Sequence, residues 1–150
     1  GPFSGHVFIQ DSTFDHNEAD MYGGDMLVTD GARVEVVRTV FAGARAGTYG
    51  GSIDVAAEGS ATFTDSTFLD AQAGTVGGLA SIWKASRAEF VRCSVAATTS
   101  PTSVFQVDDA DSSLSIVDTV IVMPAVLPPT EESTCDSSVV GTWTKLTPRW

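Results

Sequence analysis

This sequence predicts an all-β chain wound as a right-handed, single-stranded parallel β-helix, a solenoid of about five turns of 27 residues. Three observations carry the prediction. Glycine pairs recur at one fixed period, apolar columns keep the same period, and a column of charged residues alternates in sign along it.

The glycine pairs stand at Gly23 and Gly24, Gly50 and Gly51, and Gly77 and Gly78, two steps of 27, and the next step falls on Val104 and Phe105. Such pairs mark backbone corners where φ is positive or another chain segment comes close. After each pair an apolar alternation follows, at Met26 and Val28, Ile53 and Val55, and Ala80 and Ile82. Period-two spacing predicts a half-buried strand.

A second strand per turn is predicted by Val7 and Ile9, Val34 and Val36, Ala61 and Phe63, Ala88 and Phe90, and, with one residue deleted, Leu114 and Ile116. A third ends at Phe14, Phe41, Phe68 and Val95, and Ala19, Ala46 and Ala73 follow five residues beyond each phenylalanine. Each turn thus holds about three short strands. No apolar stripe at i, i+3, i+4, i+7 supports a helical solenoid instead.

Between the second and third strands lie Asp11, Arg38, Asp65, Arg92 and, after the deletion, Asp118. Like charges stacked at strand spacing would repel, so the alternation reads as register control on an outer corner. Beside it Ser12, Thr39, Ser66, Cys93 and Thr119 should face inward. Cys93 then reads as a small core residue, and no bond is expected between it and Cys135, which follows the terminal prolines.

The pattern divides the chain into a lead-in at 1–5, the β-helix at 6–122 and a C-terminal cap or irregular tail at 123–150. Gly1 and Pro2 resemble the remnant of a cleaved tag, and the early start of the repeat suggests an excised fragment. Past Val122, Met123 to Pro129 includes three prolines, which remove backbone donors where another strand would pair. The segment holding Trp143, Leu146 and Trp150 would either fold over the open end or lie along the side.

Composition narrows the function classes. The formal charge is -11, from 8 basic and 19 acidic residues, which disfavours nucleic acid as a partner. No apolar run reaches the roughly 20 residues that span a bilayer, so membrane insertion of this stretch is not expected. Two cysteines are too few for a disulfide scaffold, and Asn17, the only asparagine, starts no glycosylation sequon.

Phe14-Asp15-His16-Asn17 and Gly50-Gly51-Ser52-Ile53 resemble the FxxN and GGA[ILV] motifs of the polymorphic outer membrane protein repeats. The resemblance covers roughly residues 6 to 122, and it implies a β-helical surface protein with an adhesin-like role. The asparagine place is Ala44 in the second turn and Ala71 in the third, and Asp25, Ser52 and Leu79 follow the glycine pairs.

β-Helical lyases and epimerases need two or three carboxylates on adjacent turns, often with calcium and a basic residue. Lys84 follows Trp83 and reads as a surface lysine packed on the ring. His6 and His16 lack a third metal ligand at suitable spacing. Asp109-x-Asp111-x-Ser113 imitates the start of a calcium loop, but Leu114 and Val120 stand where glycine and a bidentate glutamate belong, so Asp108 to Ser113 reads as a solvated turn. Asp20, Asp25, Asp30 and Asp54 could line one face. No catalytic, cofactor-binding or metal residue is assigned and no cofactor is expected.

The sequence therefore predicts a non-enzymatic rigid stalk or adhesion scaffold of a larger extracellular or cell-surface protein, meeting protein or glycan at a surface. The alternative is a carbohydrate-active β-helix, either enzyme or carbohydrate binder. A groove with two or more carboxylates and a lysine or arginine in reach would favour the enzyme. A further expectation is end-to-end self-association through the N-terminal turn, where Val7, Ile9, Phe14 and Ala19 would lie uncovered.

Overall fold

The computed structural model describes residues 5–122 and 138–143, the latter as backbone only. Every named element is a strand, and the predicted parallel β-helix is present. Four walls make up a turn. The first consists of His6–Gln10, Arg33–Val37, Ser60–Thr64 and Arg87–Val91, and the second of Thr13–Asp15, Val40–Ala42, Thr67–Leu69 and Ser94–Ala96. Ser113–Val122 runs across both walls at the top. A third wall has the two-residue strands Glu18–Ala19, Arg45–Ala46 and Gln72–Ala73, and the fourth has Met26–Val28, Ile53–Val55, Ala80–Ile82 and Phe105–Val107.

Three expectations change in detail. There are four strands in a full turn rather than three, because the alanines five residues after the phenylalanines form their own short ladder. Among the described residues the turns number four with the first two walls of a fifth. The step from Gly77 and Gly78 to Val104 and Phe105 also fails, since Ala80 pairs with Phe105 and Gly78 N donates to Ser103 O at 2.7 Å. Two residues are lost in the fourth turn between Thr99, still aligned with Gln72, and that strand. One is regained before Ser113, so the alignment of Leu114, Ile116, Asp118 and Thr119 holds.

The core follows from stacking equivalent residues at strand spacing. Phe14, Phe41 and Phe68 form a ladder with ring centroids 4.7 Å apart and nearly parallel planes. Phe63 and Phe90 stack at 4.9 Å from the first wall and meet the Phe14, Phe41 and Phe68 ladder edge-on, as with Phe63 and Phe68 at 5.4 Å. Offset and edge-to-face pairs each contribute roughly 0.5–1.5 kcal/mol beyond burial. Val36, Ile53, Ile82, Leu114, Ile116 and Ile121 complete the interior.

Both glycines of a pair are needed, for different reasons. Gly50 sits at φ 57°, while Gly51 has no room: a Cβ there would lie 2.1 Å from Gly78 O and 2.6 Å from the Gln72 carbonyl carbon. The charged column occupies a second left-handed corner, with φ near +50° at Asp11, Arg38, Asp65, Arg92 and Asp118. Arg38 grips Asp11 through two bonds of 2.7 and 2.9 Å, and Arg92 grips Asp65 through bonds of 2.7 and 3.0 Å. The guanidinium hydrogen bonds hold both carboxyls below the usual range.

The corner turns the next amide away from the ladder, and the inward column accepts it. Thr39 N donates to Ser66 Oγ at 3.1 Å and Cys93 N to Thr119 Oγ1 at 3.1 Å, while each hydroxyl donates to a carbonyl two residues back. Cys93 fits this column as expected. Its thiol is buried, contacts Phe63 O and Val91 O at 3.4 Å, and is pushed up to about 11 by burial. Cys135 lies outside the described residues, as does the predicted tail apart from Ser138–Trp143, which pairs antiparallel with Ser113–Val122 and covers that strand's free edge.

Candidate functional site

The outward positions of the fourth wall are Leu27, Asp54, Ser81 and Gln106, which stack in register up the helix. Period-two alternation puts their neighbours in the core and should leave all four in solvent. Leu27 is 50% exposed as that rule requires, but Asp54 is 0% exposed. Its cover is aromatic.

Tyr22 and Tyr49 face the wall from the preceding corner, one turn apart and bridged to each other and then to Val76. Their rings stack at 5.6 Å with planes 8° apart, and Trp83 completes the cluster at 5.8 Å from Tyr22 and 6.5 Å from Tyr49. Trp83 Nε1 donates to Asp54 Oδ2 at 3.0 Å. Burial pushes the Asp54 carboxyl up to about 6, with the Trp83 bond and the neighbouring Ser81 hydroxyl acting in the opposite sense, and Oδ1 has no donor. Lys84 Nζ lies 4.3 Å from the Trp83 ring centroid, the packing expected for it.

Above this cluster runs a groove of about 120 Å³, lined by Tyr22, Tyr49, Val76, Ser81, Trp83, Gln106 and Asp108. Ser103 Oγ donates to Gln106 Oε1 at 3.3 Å, which leaves the amide nitrogen as a donor for anything bound there. Asp108 is exposed at the rim and Ser81 supplies a hydroxyl from the floor.

The other candidates are dispersed. Asp25 accepts from Asn17 at 2.8 Å and Ser52 at 2.7 Å, and burial raises its pKa against those two bonds. Asp20 and Asp30 are exposed and do not line the groove. His6 stands 3.4 Å from Glu35, and His16 pairs with Asp15 at 2.7 Å while its ring lies over Gly43.

Asp109 receives the amides of Lys84, Ala85, Asp111 and Ser112 together with the Ser112 hydroxyl. Burial alone would raise its pKa, but these bonds outweigh it and the net shift is downward. Its oxygens are thus directed at N–H and O–H donors, the environment of a turn. Among the described residues no set of three or more His, Cys, Asp or Glu is placed to hold a metal ion.

Sequence reasoning missed the groove, though one signal was present: Tyr22 and Tyr49 are 27 residues apart, in phase with the repeat. Trp83 carries no such signal, because it contacts the two tyrosines across turns. Fold and site together define a parallel β-solenoid with an aromatic groove on its flank. No protein-family model, no curated protein and no solved structure matches the chain.

Proposed function

We propose that this chain is a non-enzymatic adhesion scaffold, a rigid rod that belongs to a larger extracellular or cell-surface protein and holds a recessed binding face on its side. The observation that carries the reading is the aromatic groove on the fourth wall. Concave sites lined by aromatic side chains with a few placed polar groups are the common form of binding site. Four parallel ladders and two aromatic stacks in the core support the rod beneath it, since interlocked packing resists deformation.

The same residues bear on the alternative of a carbohydrate-active enzyme. Asp54 is the carboxylate with a raised pKa nearest the groove, and it is sealed under Trp83 rather than presented to a substrate. Asp108 is on the rim, and Lys84 is engaged with the Trp83 ring. Those placements suit holding a ligand better than moving its protons. The test is retention of beads carrying the chain on surfaces coated with extracellular glycans or matrix proteins. Specific retention without cleavage of the coating is expected. Absence of retention on every surface, or release of shortened glycan, would remove the reading.

A further inference from the structure

We infer that the groove lined by Tyr22, Tyr49, Trp83, Ser81, Gln106 and Asp108 binds a neutral saccharide. The inference rests on the adhesion reading and names the chemistry of what that face holds.

The lining has two kinds of surface. The half-buried aromatic rings offer the apolar area that their mutual stacking leaves uncovered, and Ser81, Gln106 and Asp108 offer a hydroxyl, an amide N–H and a carboxylate at separate positions. A sugar ring has the matching division, with axial C–H groups on its faces and hydroxyls around its edge that both donate and accept. A purely apolar ligand would desolvate the Gln106 amide nitrogen and the Asp108 carboxylate without giving them partners.

Charge decides among the polar alternatives. Asp108 at the rim, with a chain charge of -11, disfavours a uronate, sulfate or phosphate. A quaternary ammonium would be drawn to aromatic rings, but Lys84 Nζ already lies 4.3 Å from the Trp83 centroid and would repel a second cation. A neutral ligand with many hydroxyls avoids both conflicts.

The ring positions are held independently of any ligand. The two tyrosines stack on successive turns of the ladder, and Trp83 is fixed by its bond to Asp54. Rings held in place before binding lose less conformational freedom when the ligand arrives.

The experiment titrates the isotope-labelled chain with neutral tetrasaccharides of glucose, galactose, mannose and N-acetylglucosamine. Tetragalacturonate and choline serve as the anionic and cationic arms. At least one neutral tetrasaccharide should shift the Trp83 indole and Gln106 side-chain amide resonances, and the two charged probes should leave them in place. The double variant Gln106→Ala with Asp108→Ala keeps the Trp83 to Asp54 bond, so it should retain the thermal midpoint and bind about ten-fold more weakly or worse. Silence with all neutral probes, equal response to a charged probe, or unweakened binding by the folded double variant would overturn the assignment. Bead retention unaffected by the double variant would sink this inference while leaving the adhesion reading standing. Loss of retention on every surface by the unaltered chain would sink the adhesion reading itself.

Discussion

Asp54 shows how one side chain can run against the rule of its own strand. Alternation puts it outward, yet it is fully buried with Trp83 bonded to it, and the carboxyl rises to about 6. A carboxyl whose pKa is higher folded than unfolded binds protons preferentially in the native state, so between about 4 and 6 stability falls as pH rises, and above 6 the penalty is constant. Asp54→Asn keeps an acceptor for the indole without the charge. Relative to the parent it should gain stability from pH 4 to 7.5, by roughly 1–3 kcal/mol. Urea denaturation at the two pH values checks this, and a pH-independent difference would contradict it. The corners give a second contrast at this scale. Ala97 holds φ 56°, a left-handed conformation that alanine adopts at a cost, so Ala97→Gly should stabilise by roughly 0.5–1 kcal/mol. Gly51→Ala should destabilise by roughly 3 kcal/mol or more because its Cβ would strike backbone. Thermal melts of the two variants should move in opposite directions.

At the scale of the element, the outer corner and the column inside it act as one device. The left-handed residue carries a charge that pairs along the column, and the following hydroxyl or thiol accepts the amide displaced by the bend. Asp65→Arg would place arginine between Arg38 and Arg92, so it should destabilise more than Asp65→Ala, and molar salt should narrow the gap. Equal stabilities at low salt, from chemical denaturation, would remove the charge column from the account. Most of this device was legible in the sequence because the column's residue types repeat at the period. The inward column was legible too, but not its hydrogen bonds. The left-handed series at Asp30, Ala57 and Lys84 and at His16, Gly43, Asp70 and Ala97 were not, because unlike side chains share one backbone conformation. The third wall was hidden for a related reason: two residues are too short for alternation to declare a strand. The groove depends on contacts across turns, and a reading that aligns each turn with the next sees columns more readily than it sees a tryptophan reaching past its neighbour.

At the scale of the whole molecule the two ends differ. Ser113–Val122 has its free edge paired with Ser138–Trp143, whereas among the described residues nothing lies beneath His6–Gln10. Val7 is 49% exposed where its stacked equivalent Val34 is 7% exposed, and Phe14 and Met26 are only partly buried. An unpaired edge around an apolar cross-section favours pairing with another chain. Concentration-dependent association through this end is therefore expected, weakened by the acidic charge at low salt. Sedimentation over a wide concentration range checks it; a strictly monomeric chain, or a folded Ile9→Lys variant that associates equally well, would refute the interface. The paired charges on the outer corner also give the rod a parity. Asp11 belongs with Arg38 and Asp65 with Arg92, so the smallest piece that copies itself without conflict is a double turn. Duplicating a single turn of such a solenoid would set two like charges side by side, whereas duplicating two in tandem would leave every neighbour opposite in sign. A gene lengthening this rod by internal duplication would meet least resistance when it adds turns in even numbers.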